Sequence, residues 1–112
     1  MSERLAVEVV RSDEQVVIQA RGEVDIATMG ALRDSIEPFL GPNQTIVLDL
    51  SQLTFADSAL LKVLVHARGE LTQHGGSLLL RNPSKVARRL LTITELDDMI
   101  QDEVDRQNED PA

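Results

Sequence analysis

The chain has 112 residues and a formal charge of -8, enough for one domain with one modest core. Hydrophobic residues make up 42% of it but aromatics only 2%, so the core must be aliphatic, and with no cysteine a disulfide, thiol switch or cysteine metal site is excluded. The acidic balance argues against nucleic acid or an anionic membrane as partner and favours a basic protein surface. The first ten residues, MSERLAVEVV, carry charges where a signal peptide needs an apolar centre, and no apolar run approaches the ~18 residues of a membrane span. A cytoplasmic protein is expected.

In chain order, Leu5 to Val10 and Gln15 to Val24 read as two strands joined by a polar turn, Arg11 to Glu14, hence an antiparallel hairpin. From Ala27 to Leu40 the residues Met29, Leu32, Ile36 and Phe39 recur at helical spacing, and Gly41-Pro42 stops the helix after Pro38 in its last turn. TIVLDLS, from Thr45, is a nearly continuous apolar run suited to a buried central strand, followed by a short polar connection. The next helix is expected from Ala59 to about Gln73, burying Leu60, Leu61, Leu64, Val65 and Leu71, exposing Lys62, His66, Glu70 and Gln73, and ending at Gly75-Gly76. SLLLR is another buried strand, so Val47 and Leu79 are placed in the sheet interior. Pro83-Ser84 opens a third helix carrying Val86, Leu90 and Ile93 inward, and Met99-Ile100 offer a last short strand. Residues 102–112, with five acids, read as a solvated tail beyond a domain of residues 1–101. The order β, β, α, β, α, β, α, β predicts an α/β fold whose mixed sheet begins with an antiparallel strand and is flanked by three to four helices.

GEVDIAT after the second strand, IVLDLSQLTFADSALLKVLVHAR in the middle and NPSKVARRLL near the end resemble the signature regions of anti-sigma factor antagonists of the STAS-domain superfamily, over about residues 5 to 100. The family pattern at the middle helix is Asp-Ser-Ser-Gly-Leu, and its first serine is phosphorylated by a partner anti-sigma factor that is itself a serine kinase. Here the segment is Asp57-Ser58-Ala59-Leu60-Leu61. The resemblance therefore implies Ser58 as phosphoacceptor, and a partner surface of Glu23, Asp25, Thr28, Asp57, Ser58, Ala59, Leu60 and Lys62. Leu60 stands where the family has glycine, and its bulk is expected to strain the fit of a kinase. Glu95-Leu96 likewise replaces the family's Gly-Leu after the third helix. The implied fold is the STAS fold. The implied function is that of an antagonist which binds an anti-sigma factor, releases a sigma factor and is switched off by phosphate on Ser58, with a serine phosphatase as a further possible partner. No cofactor, no metal and no enzymatic activity are expected, and the sequence sets no oligomeric state.

Plainer accounts stand beside each of these residues. A serine before a helix is usually its cap. Glu23 and Asp25 read equally as turn residues, Lys62 as a solvated lysine, and Arg81, Lys85, Arg88 and Arg89 as a solvated basic face. Ser58 and His66 lie eight residues apart, about 12 Å along a helix, too far for a catalytic hydrogen bond. His66 and His74 show no ligand pattern and read as exposed histidines. Asp49, with Asp13-Glu14, allows a receiver that takes phosphate on aspartate, although a strand-end cap is the simpler account. Ala59 and Leu60 favour a further alternative, an unphosphorylated STAS scaffold subunit of a transport ATPase or stress-signalling assembly.

Overall fold

The computed structural model describes residues 4–12 and 15–101. The acidic tail, 102–112, and the Asp13-Glu14 pair lie outside the described residues. Strands β1 (Leu5–Arg11) and β2 (Gln15–Val24) pair antiparallel, with Leu5 opposite Gly22 and Arg11 opposite Val16. Strands β3 (Thr45–Ala56), β4 (Ser77–Arg81) and β5 (Ile100–Gln101) follow in parallel, and the five lie in the sheet in chain order. The last strand is one residue later than expected, Met99 closing a 3-10 turn before it.

Each parallel step is made through a helix, α1 (Met29–Ile36), α2 (Ser58–Gln73) or α3 (Lys85–Ile93). Successive right-handed crossovers that all step the same way put every helix on the same side of the sheet. Alternation along the strands agrees with this: Val16, Ile18 and Ala20, then Ile46, Leu48 and Leu50, then Leu78 and Leu80 are buried in one cluster with Leu32, Ile36, Leu60, Leu64, Leu71 and Leu91. On the opposite face Val10, Val17, Val47 and Leu79 stand in register across four strands, Val47 only 1% exposed and Leu79 half-buried. The sheet thus has a helix-covered face and an open one.

Several expectations are corrected by the structure. Helix α1 stops at Ile36 and gives way to a 3-10 turn, Glu37–Phe39, because Pro38 has no N–H to continue the ladder. Phe39 is consequently only half-buried. Helix α2 buries Ala59, Leu60, Val63, Leu64, Ala67 and Leu71, whereas Val65 is exposed, and Leu61 and Glu70 are half-buried. Its inward stripe is centred near Leu60 and Ala67. Helix α3 buries Ala87 and Leu91 rather than the expected trio; Leu90 is half-buried, Val86 is exposed and Ile93 is 72% exposed. The inward stripe is rotated by one residue, about 100°.

Strand β3 runs to Ala56, through residues expected to form a polar connection. Two irregularities in its pairing with β2 make this possible, one between Gln19/Arg21 and one between Gly22/Glu23, each giving β3 an extra residue. At the first, Asp49 Oδ1 accepts the Ser51 N–H at 2.9 Å. At the second, the Thr54 hydroxyl donates to the Gly22 carbonyl at 3.2 Å. Polar side chains thus satisfy backbone groups that the bulges take out of the ladder.

Candidate functional site at the mouth of helix 2

The ends of β2 and β3 lie side by side, Val24 opposite Ala56, so the β2–α1 loop and the start of α2 leave the same edge of the sheet together. Gly22 sets the approach. Its φ is +116°, and a Cβ there would stand 2.1 Å from the Arg4 carbonyl oxygen, which accepts the Glu23 N–H at 2.8 Å.

Beyond Gly22, the loop is fastened by its own side chains. Asp25 Oδ1 accepts the Ala27 and Thr28 N–H groups at 2.9 and 3.1 Å, and the Thr28 hydroxyl donates to the Glu23 carbonyl at 2.8 Å while accepting the Asp25 N–H at 2.9 Å. Thr28 is therefore half-buried and engaged within the loop. Arg4 reaches across from the start of β1 to pair with Glu23 at 2.8 Å and with Asp25. Its hydrogen bond holds the Asp25 carboxyl below the ordinary aspartate range, helped by the loop N–H groups and opposed by desolvation. The reciprocal bonds, that to Glu23 foremost, raise the Arg4 guanidinium further. The loop is thus less negative than its sequence implies. Arg4 was invisible as a partner in the sequence because the pairing is created by strand register.

At the adjacent opening, Asp57 is the cap of α2: its side chain accepts the Ala59 N–H at 2.9 Å, and its carbonyl accepts the Leu60 N–H at 3.0 Å. Ser58 is therefore the first residue of the helix and not its cap, which corrects the usual account of a serine in this setting. It is exposed, and its hydroxyl makes no hydrogen bond among the described residues. The next two side chains turn inward: Ala59 is buried and Leu60 is 0% exposed. Neither can offer its side chain to a partner in this fold, and Leu60 places no bulk beside Ser58. Burial of both side chains speaks against a side-chain contact with a partner and against obstruction of a kinase by Leu60.

Lys62, one turn beyond Ser58, is exposed. It lines a groove of about 240 Å³ between α1 and α2, together with Met29, Arg33, Val63 and His66, and borders a shallower depression with Leu61 and Val65. Two apolar residues that sequence reading passed over are prominent at this edge, Ile26 at 80% exposure in the β2–α1 loop and Phe55 at 44% near the end of β3. An isoleucine in an otherwise polar loop was the available signal.

Other candidates do not converge. His66 pairs with Glu37 at 3.7 Å and His74 Nδ1 with the Glu70 carbonyl at 2.9 Å, and no metal-holding cluster occurs among the described residues. Asp49 lies in the middle of β3 on the open face, in register with Gln19 and Arg81, and not at a strand end as expected. Of the basic residues, Lys85, Arg88 and Arg89 are exposed on α3 and Arg81 is half-buried on β4.

A mixed sheet in chain order, one-sided helices and an Asp-Ser opening to α2 together define a STAS domain. Residues 7–101 match the family described as "Mlab, STAS domain". The chain is 30% identical over 94 residues to the anti-sigma-B factor antagonist of Bacillus subtilis (strain 168), covering 84% of this chain and 86% of that protein. Among solved structures, it is similar to the anti-sigma factor antagonist SpoIIAA in its unphosphorylated form, with a TM-score of 0.77, 27% identity and 95% of each chain covered. An anti-sigma factor antagonist from Mycobacterium paratuberculosis matches with a TM-score of 0.74 and 27% identity, over 91% of this chain and 89% of that one. The chain belongs to the anti-sigma factor antagonists of the STAS-domain superfamily. No helix among the described residues is long and apolar enough to cross a membrane.

Proposed function

We propose that this chain is a cytoplasmic, non-enzymatic antagonist that binds an anti-sigma factor of the serine-kinase type, releases the sigma factor held by it, and loses affinity when that partner phosphorylates Ser58. The observation that carries this reading is the division of labour at α2. Asp57 does the capping, so the Ser58 hydroxyl is exposed and uncommitted, and a phosphate there neither breaks a cap nor requires burial in this chain. Transfer would join Ser58 Oγ to the γ-phosphorus of ATP, releasing ADP and the hydroxyl proton. The group adds a charge of about -1.5 to -2 beside Asp57. Against a partner that desolvates it without a counter-charge, several kcal/mol are lost, and every ~1.4 kcal/mol is tenfold in affinity.

Glu23, Asp25, Asp57, Ser58 and Lys62 would form the polar part of the contact, with Ile26 and Phe55 as its apolar part. Thr28 would act indirectly by shaping the loop. A serine phosphatase would reset the switch. The scaffold alternative drew its support from Ala59 and Leu60, and both face the core.

Incubation with the candidate anti-sigma kinase and ATP, followed by mass spectrometry, is the test. Phosphate on Ser58 is expected, with release of the partner. Ser58→Ala should stay bound with kinase and ATP present, and Ser58→Asp should bind more weakly at low salt. Tight binding with no label would establish the scaffold reading instead, and hydroxylamine-labile label on Asp49 the receiver.

A further inference from the structure

A phosphate on an exposed serine draws in any free cation within reach, and the basic residues around α2 are unequally available. Arg4 is held by Glu23 and Asp25, Arg33 lies 3.9 Å from Asp34, and His66 lies 3.7 Å from Glu37. Lys62 has no ion pair among the described residues, and it follows Ser58 by four positions on the same helix. Residues so spaced are neighbours on the helix surface, with Cβ atoms about 5 to 6 Å apart, within easy reach of a lysine for a phosphoserine. The order is also the favourable one, with the anion nearer the helix start. Lys62 at the same time borders the groove walled by Met29, Arg33, Val63 and His66.

We infer that Lys62 is the side chain that receives the phosphate when Ser58 is modified, and that this pairing draws it away from the groove between α1 and α2. The inference rests on Ser58 being the phosphoacceptor. Phosphorylation then does two things at once: it adds negative charge at the helix opening and draws one positive charge away from the groove one turn on, where Arg33 remains. A partner that uses both places is dislodged from both. The other charges at this edge are Asp57, which opposes the phosphate, and Glu23 and Asp25, of whose two negative charges Arg4 offsets one.

The test installs phosphoserine at position 58 during synthesis, so that no kinase is needed, and follows the phosphate by phosphorus NMR. Its second pKa should be lower by roughly 0.3 unit or more in the otherwise unchanged chain than with Lys62→Gln, Lys62→Arg should restore it, and the difference should shrink at 1 M salt. The methyl resonances of Met29 and Val63 should shift on phosphorylation when Lys62 is present and stay in place when it is glutamine. Equal phosphate pKa values in the two chains would overturn the pairing. Equal methyl shifts would overturn the withdrawal from the groove. Neither result touches the Ser58 reading, which fails separately if the kinase leaves that serine unmodified.

Discussion

Helices α2 and α3 both begin at a serine and end in a sharp turn, yet they use these residues differently. Ser84 is the cap of α3, its hydroxyl accepting the Ala87 N–H at 3.3 Å. Ser58 is one position further in, because Asp57 has taken the cap of α2. The far ends run in parallel as well. Gly76 donates to the Leu71 carbonyl at 2.7 Å and Leu96 to the Leu91 carbonyl at 2.8 Å, the same six-to-one closure. The left-handed residue that permits it is Gly75 in one case (φ +80°) and Glu95 in the other (φ +62°). A serine beside a helix is structural or available according to what precedes it, and this difference separates a fastening residue from an uncommitted one.

The largest test of that contrast is Leu60→Gly, which restores the family's residue. A fully buried leucine is lost and a glycine enters a helix, so urea unfolding should show a loss of about 3 to 6 kcal/mol. A near-neutral result would return Leu60 to the surface and revive the idea that it hinders a kinase. At the other helix, Glu95→Gly should add about 1 kcal/mol, by relieving a side chain held in the left-handed region. Asp57→Ala and Ser84→Ala should each cost about 1 kcal/mol, as cap losses do. Ser58→Ala should change stability by less than about 0.5 kcal/mol, and a cost matching that of Ser84→Ala in the same denaturation series would erase the distinction between the two serines.

The smallest expected effect concerns α1, whose start is shaped by Asp25. Its carboxyl is held low in the folded chain by Arg4, so its contribution is present above the unfolded value near pH ~3.9 and is lost as pH falls through the lower folded value. Because the pair is solvent-accessible, the effect on global stability is small, and the carboxyl itself is the better probe. Carbon NMR should place the Asp25 titration at higher pH in Arg4→Gln than in the unaltered chain. Coincident curves would show that the loop amides alone hold it down.

The element order was legible because hydrophobic period differs so clearly between TIVLDLS, SLLLR and the run after Ser58. The sheet face was not: Val47 and Leu79, expected in the interior, stand on the open face, Leu79 half-buried, while Ile46, Leu48, Leu78 and Leu80 meet the helices. The span of α2 was legible too, and so was an exposed Ser58 at its opening. What the sequence did not reveal follows from geometry that spacing cannot encode. Val86, Leu90 and Ile93 form as good a stripe on paper as the one actually used, and only docking against β3 selects Ala87 and Leu91. Ser51 to Ala56 reads as a connection because bulges break the alternation that identifies a strand. The Arg4 bond to Glu23 and Asp25 joins residues about twenty positions apart and exists only once β1 and β2 are in register.

Strand order in this sheet is the same as strand order in the chain. Every new strand therefore docks beside the one made just before it, and no strand must wait for a distant segment to open a place. Each parallel crossover is only about twenty residues long, so its closure entropy is modest, and each strand can pair with its neighbour without waiting for later chain. A sheet assembled at one advancing edge completes the β2–β3 platform beneath Ser58 before β4 and β5 exist. The end of the molecule that carries Ser58 is thus built on the part that can form first.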